Sequence, residues 1–334
     1  MDKNNKRLIS QILKYSISAI FLFGVIYYVF LKEDPQRLLD TILEADFYLV
    51  FLSMIFGIIA LLNRGLRWII LIESLGYNSS KLNSVAAVSS GYLINMLLPR
   101  AGEVTRCTAL NQSDGVPVDK LFGTVLLERV IDMIMVLFFF AISLILNFND
   151  LSQFFLKINI GNFHFSNQTY YLIIFSIILI YIVYILIKNS KIYIKILDFI
   201  NGLRQGFVSI KNIERKWEFW IHTISIWIMY FLMTYICFDA IEATSDLDLS
   251  DGIFLLVLGA LAMIVPLPGM AGYMPSMIIG LSILGIGCDN CSDADNPAFV
   301  FTAILYASQT LVLIAMGILG FIVLFLSRKK VKNG

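Results

Sequence analysis

Residues 121–146 read LFGTVLLERVIDMIMVLFFFAISLIL, from Leu121 to Leu146. A helix of that length rises roughly 39 Å, more than the roughly 30 Å of hydrocarbon in a bilayer. The apolar residues run continuously instead of alternating, which excludes a barrel strand. Five further stretches carry the same signal: Ile9–Leu31, Phe47–Ile72, Tyr170–Ile187, Trp217–Ile241 and Phe299–Leu326. Across the chain 58% of residues are hydrophobic and 15% are charged, against roughly a quarter charged in a soluble domain. A water-soluble fold of 334 residues has too little interior for that much apolar surface. The sequence predicts an all-α polytopic membrane protein with about six full spans.

Two further apolar regions are interrupted. One runs from Leu82 to Leu98 and stops at Pro99-Arg100-Ala101-Gly102-Glu103. The other runs from Gly252 to Val265, breaks at Pro266-Leu267-Pro268-Gly269-Met270-Ala271-Gly272, and resumes to about Gly287. Basic residues cluster at Lys3, Lys6 and Arg7, in the connection from Lys188 to Lys216, and from Arg328 to Lys332. Acids without bases occupy Glu242–Asp251 and Asp289–Asp295. The positive-inside rule reconciles these only if each interrupted region enters and leaves by one face. Both termini are then cytoplasmic, and the two re-entrant hairpins have opposite orientation. Residues 47–146 and 217–326 become the halves of an inverted repeat within a single integral membrane domain, 1–334. Pro- and Gly-interrupted segments at matching places of two halves point to a transporter-type site near the midplane. Pro99, Gly102, Pro266, Pro268, Gly269 and Gly272 are the candidate hinge positions. Two unrelated kinked helices are the alternative, since Pro and Gly are tolerated in membrane helices.

The connection at about 188–216 is basic with interspersed isoleucine, leucine and phenylalanine, and is expected to lie as an amphipathic helix on the cytoplasmic surface. The amino-terminal stretch lacks a small-residue cleavage site and is read as a retained span. The expected location is a bacterial cytoplasmic (inner) membrane. A net charge of +1 gives no reason to expect nucleic acid as a partner. Cys288 and Cys291 form one C-x-x-C, and with two histidines in the chain the ligands for a zinc site are too few. No metal or cofactor is expected. The pair faces the oxidising side in this topology, where a disulfide is permitted.

The informative charges lie between Arg100 and Asp132. Arg100, Glu103 and Arg106 follow the first break; Glu128, Arg129 and Asp132 interrupt the apolar span quoted above. Each costs at least about 2.5–3.5 kcal/mol near the bilayer centre, so exposure of all three span charges to lipid is excluded. Glu128 and Asp132 share a helix face, and Arg129 is placed to pair with Asp132. Three bases and three acids cancel, which suits either a packing network or a polar pocket that exchanges a partner for phosphate or amine. The helix restarting near Gly102 presents unpaired N–H groups to an anion. Arg64 and Arg67 are read as snorkelling to the interface. His222, among Trp217, Trp220 and Trp227, is read as part of an interfacial anchor.

Leu98-Pro99-Arg100-Ala101-Gly102-Glu103-Val104-x-Arg106, Glu128-Arg129-x-x-Asp132 and the Pro-x-Pro-Gly-x-x-Gly segment at Pro266–Gly272 resemble, in that order, the lysylphosphatidylglycerol synthase transmembrane-region family. The resemblance extends from about Phe47 to Leu326. It implies a flippase-like membrane domain without the soluble lysine-transferring domain, which the sequence is expected to lack. It also implies Arg100, Glu103, Arg106, Glu128, Arg129 and Asp132 as substrate-binding residues. Family members often carry an acidic residue shortly after the late glycine motif; here Tyr273-Met274-Pro275 stands there.

The expected function is a phospholipid flippase or scramblase-like transporter, with an anionic or aminoacylated headgroup as substrate. The alternative is a non-catalytic accessory or scaffold protein for envelope lipid synthesis, with a partner membrane enzyme or a second copy of itself. An intramembrane enzyme is the third class. No H-E-x-x-H, G-x-S-G or Gly-x-Gly-Asp motif occurs, and no catalytic residue is assigned.

Overall fold

The computed structural model describes residues 42–98, 100–158, 213–264, 272–288 and 295–333, with Asn201 and Ser292 as isolated positions. Among these residues every regular element is helical. The expected spans at Ile9–Leu31 and Tyr170–Ile187, and the connection as far as Asn212, lie outside them, as do Pro99, Pro266, Pro268 and Gly269.

Helix α1 is Phe47–Glu73, begun by Asp46, whose carboxylate accepts from Tyr48 N at 2.8 Å. Helices α2 (Lys81–Leu97) and α3 (Ala101–Asp114) are short and meet at the first interruption. Helix α3 ends at Gly115, in the left-handed region with φ 75°, which closes the last turn by donating to Asn111 O at 3.0 Å; glycine accepts that conformation without Cβ strain. Helix α4, Val118–Leu146, follows Pro117 and begins three residues before the predicted span. The amphipathic α5, Phe148–Lys157, buries Leu151 and Phe154; sequence reasoning had left it as connection.

The second group opens with α6, Lys216–Tyr235, followed by single turns at Phe238–Ala240 and Glu242–Thr244 where one longer span was expected. Helix α7 is Leu249–Ala262, capped reciprocally by Asp248 and Asp251. Hydrogen bonds from Ser250 and Asp251 hold the Asp248 carboxyl below its ordinary value. Helix α8 (Tyr273–Ile283) and the long α9 (Pro297–Asn333) complete the chain. Four helical stretches are long and apolar enough to cross a membrane: Phe47–Glu73, Val118–Leu146, Lys216–Ala240 and Pro297–Ser327. The order long, short, short, long occurs twice, in α1–α4 and in α6–α9.

The two groups pack through each other. Helix α1 lies along α6, α2 along α9, and α4 against α7. Small residues allow the closest approaches. A Cβ on Gly320 of α9 would stand 2.5 Å from Ala86 O on α2, and one on Gly65 of α1 would stand 2.6 Å from Val85 Cα. Buried polar groups fix the register: Ser53 donates to Met233 O at 2.8 Å, and Gln309 Nε2 donates to Ser53 Oγ at 3.1 Å, joining α1, α6 and α9. Without a hydrophobic drive between helices in lipid, such close packing and polar contacts carry the association.

Asp114, at the end of α3, holds the start of α2. Its carboxylate accepts from Ser79 Oγ, from Ser80 N at 2.9 Å and from Asn83 Nδ2 at 2.6 Å. It does for α2 what a capping side chain does locally. Asp114→Ala is expected to cost about 1–2 kcal/mol, visible as a lower thermal midpoint of the detergent-purified protein. Asp114→Asn should retain part of that loss because it keeps an acceptor.

The basic connection ends against α1. Ile213 packs with Ile69, Ile70 and Leu71, and Arg215 bonds Glu73 at 2.9 Å and also pairs with Glu218. Cys107 and Cys237 are free and buried, Cys288 is disulfide-bonded, and Cys291 lies outside the described residues.

Candidate functional site: a buried chain of alternating charges

Helix α1 presents Arg64 and Arg67 one turn apart, and α4 presents Glu128 and Asp132 one turn apart. Where the helices meet, these four interlock. Asp132 receives Arg64 Nη1 at 3.1 Å and Arg67 Nη1 at 2.8 Å. Glu128 lies 3.5 Å from Arg67 Nη2 and bonds Arg106 Nη2, from α3, at 2.6 Å. The result is an unbroken series, Arg64–Asp132–Arg67–Glu128–Arg106. All five are buried, and Arg67 is 0% exposed.

The series begins and ends in arginine, so it carries one more positive charge than negative. Its two ends differ. At one end Arg64 Nε donates to the Tyr230 hydroxyl at 2.6 Å, and its guanidinium lies 5.5 Å from the ring centres of Tyr92 and Tyr230. At the other, Arg106 sits 4.8 Å over the Trp68 ring, a favourable cation–π placement. Its Nε, however, is buried without a hydrogen-bond partner among the described residues. Trp68 is itself fixed by donating to Thr124 Oγ1 at 2.9 Å.

Arg106 lines a small cleft between α2, α3 and α4, together with Gly91, Tyr92, Asn95, Glu103 and Arg129. Glu103 and Arg129 form its rim. Glu103 Oε1 receives Arg129 Nε at 2.9 Å and Nη2 at 2.7 Å, and the Arg129 side chain is 47% exposed. The volume of about 10 Å³ is about what one water requires, so this conformation is closed to a headgroup.

Several expectations change. Arg129 pairs with Glu103 across to α3, and Asp132 turns to α1 instead. Arg64 and Arg67 do not snorkel. They hold the centre of the series because the paired carboxylates of α4 are the only way to keep two guanidinium groups at that depth. Arg64 lies nine residues before the end of α1, or roughly 14 Å, too deep for an arginine to reach the interface. That depth was the available signal. Arg100 stands apart: it is exposed, has φ 63° as the residue before α3, and pairs with none of the described residues.

The restart of α3 is not an open anion site either. Gly102 N already donates to Asn95 Oδ1 at 2.7 Å, and Ala101 N to Leu98 O at 3.1 Å. Gly102 instead serves a close crossing, since a Cβ there would run into Gly91 O on α2. Gly272 stands just before α8 in helical conformation. Tyr273, where relatives often have an acid, packs its ring over Gly259 and bonds Thr234 through its hydroxyl. His222 shares a 2.6 Å hydrogen bond with Asn63 Oδ1, which extends the polar face of α1 toward α6.

Long apolar helices around a buried, hydrogen-bonded ion series define a multi-pass helical membrane protein. The chain belongs to the lysylphosphatidylglycerol synthase TM-region family, whose model matches residues 11–287. It is also 31% identical over 126 residues to the UPF0104 membrane protein MJ1595 of Methanocaldococcus jannaschii. That match covers 37% of this chain and 36% of the archaeal protein. No solved structure matches the chain.

Proposed function

We propose that this protein carries a phospholipid headgroup between the leaflets of its membrane and performs no chemistry on it. The observation that carries the reading is the end of the charge series at Arg106. A guanidinium with an unpartnered Nε faces a cleft, in a group of buried side chains with excess positive charge. A planar guanidinium is suited to phosphate, and an anion there removes the imbalance.

The repeated order of elements supports a transporter as the class. Exchanging the two groups of helices maps the α2–α9 contact onto α7–α4 and the α1–α6 contact onto itself. That is the pattern an inverted repeat produces, with its interrupted pairs α2–α3 and α7–α8 in equivalent places. In this reading the interrupted pairs move to open the cleft alternately, while lipid tails stay in the bilayer.

The test is movement of a fluorescent phospholipid between leaflets of liposomes containing wild type or Arg106→Gln/Glu128→Gln. The double change removes one pair as neutral amides and leaves the remaining Arg64–Asp132–Arg67 contacts. Wild type should move lipid, and the folded variant should be at least about tenfold slower, as expected for loss of a charged hydrogen-bond partner worth about 1.5–3 kcal/mol. If folded wild type moves no phospholipid, with or without a pH gradient, the transport reading fails and an accessory role takes its place.

A further inference from the structure

The cleft and the charge series together contain Arg64, Arg67, Arg106 and Arg129 against Glu103, Glu128 and Asp132. Four guanidinium groups face three carboxylates, and no other acid is paired to any of them among the described residues. One negative charge is missing. Glu103 is the most exposed of the three carboxylates, with its side chain 25% exposed against 2% for Glu128 and 12% for Asp132. It is also the one whose single partner, Arg129, stands half in solvent. Both Arg129 contacts fall on Oε1 of that carboxylate, and Arg106 lines the same cleft one turn further along α3.

We infer that the cleft accepts one phosphodiester whose headgroup bears no compensating cation, and that Glu103 occupies Arg129 in its absence. This rests on the reading of the cleft as the headgroup site and adds the charge class of the lipid. A phosphodiester bridging Arg106 Nε and Arg129 brings the group to neutrality. A zwitterionic headgroup leaves one uncompensated buried charge, and an aminoacylated one leaves two. Burial of unbalanced charge is what this environment penalises most, so the order of preference is anionic, zwitterionic, cationic. Glu103 acts as an internal competitor that holds the cleft shut when no lipid is bound.

The experiment is a calorimetric titration of the detergent-purified chain with dihexanoyl phosphatidylglycerol, dihexanoyl phosphatidylcholine and deacylated glycerophosphoglycerol. Wild type should bind the phosphatidylglycerol about tenfold more tightly than the phosphatidylcholine, and Glu103→Gln should bind it about five- to tenfold more tightly than wild type, one lost charged competitor being worth about a decade. Arg129→Gln, which alters only the half-exposed rim, should weaken it. Equal binding of the two lipids, or no gain in Glu103→Gln, overturns the proposal. Equal affinity for glycerophosphoglycerol overturns the assignment to lipid and points to a soluble phosphodiester. If liposomes show transport of both lipids at one rate, the charge selectivity is wrong while transport stands. If no lipid moves but Glu103→Gln still tightens phosphatidylglycerol binding, the site stands and transport falls.

Discussion

Arg67→Ala is expected to destabilise the protein by about 3–5 kcal/mol, because it strips a buried guanidinium from two carboxylates that have no water to turn to. Arg67 is fully enclosed and lies between Asp132 at 2.8 Å and Glu128 at 3.5 Å. Its removal breaks the alternating series at the centre, whereas loss of an end residue leaves the remaining pairs intact. Thermal unfolding in detergent, followed by the fraction of monodisperse protein, reads the effect directly. Arg67→Lys should recover only part of it, since an ammonium cannot reach both carboxylates with the guanidinium's planar fork. Wild-type stability in Arg67→Ala would mean that the series does not join α1 to α4.

Gly102→Val is the second change with a large expected effect. The new Cβ would collide with Gly91 O and stand 2.7 Å from the Asn95 side-chain carbonyl. A backbone oxygen in a helix cannot step aside, so α2 and α3 must separate. The hydrogen bond from Gly102 N to Asn95 is then lost as well. Overpacking of this kind costs about 1–3 kcal/mol, and the lost hydrogen bond adds about 1 kcal/mol. Since the cleft lies between these helices, headgroup transport should fall together with the thermal midpoint. Gly57→Ala is the control: its Cβ meets only the end of the Gln309 side chain, which can swing away.

Much of this arrangement was legible in the sequence for one reason: charges in an apolar span are rare and must be answered. Glu128, Asp132 and Arg106 stood out on that ground, and they do meet. The interruptions after Leu98 and near Gly272 were visible because proline and glycine punctuate runs that otherwise have no reason to stop. The partners were harder to see. Arg64 and Arg67 were assigned to the interface because the sequence does not state which helix faces which, and an arginine near a span end has a commonplace explanation. Arg129 was given to Asp132 by its spacing along α4, but Arg64 and Arg67 reach Asp132 from α1 and leave Arg129 for Glu103. Arg100 was included for its place at the break. Its backbone sits at φ 63°, a left-handed conformation that costs about 1–2 kcal/mol, and its side chain turns away from the series. Helix α5 escaped notice because its amphipathic pattern, with Leu151 and Phe154 inward, is too short to register as a span.

The packing of α2 against α9 has a consequence for the order of events during synthesis. Gly317 and Gly320 supply the surface that covers Leu93 and Ala86, yet they are translated after most of the chain. At about 5–20 residues per second, the ribosome needs roughly 10–50 s to pass from Ala86 to Gly320. Throughout that interval α2, with Ser89 and Ser90 on its buried face, waits beside the translocon without its final neighbour. The first half therefore completes its packing only when the last helix arrives, and chains cut short before α9 are the ones that quality-control proteases should meet as unfinished.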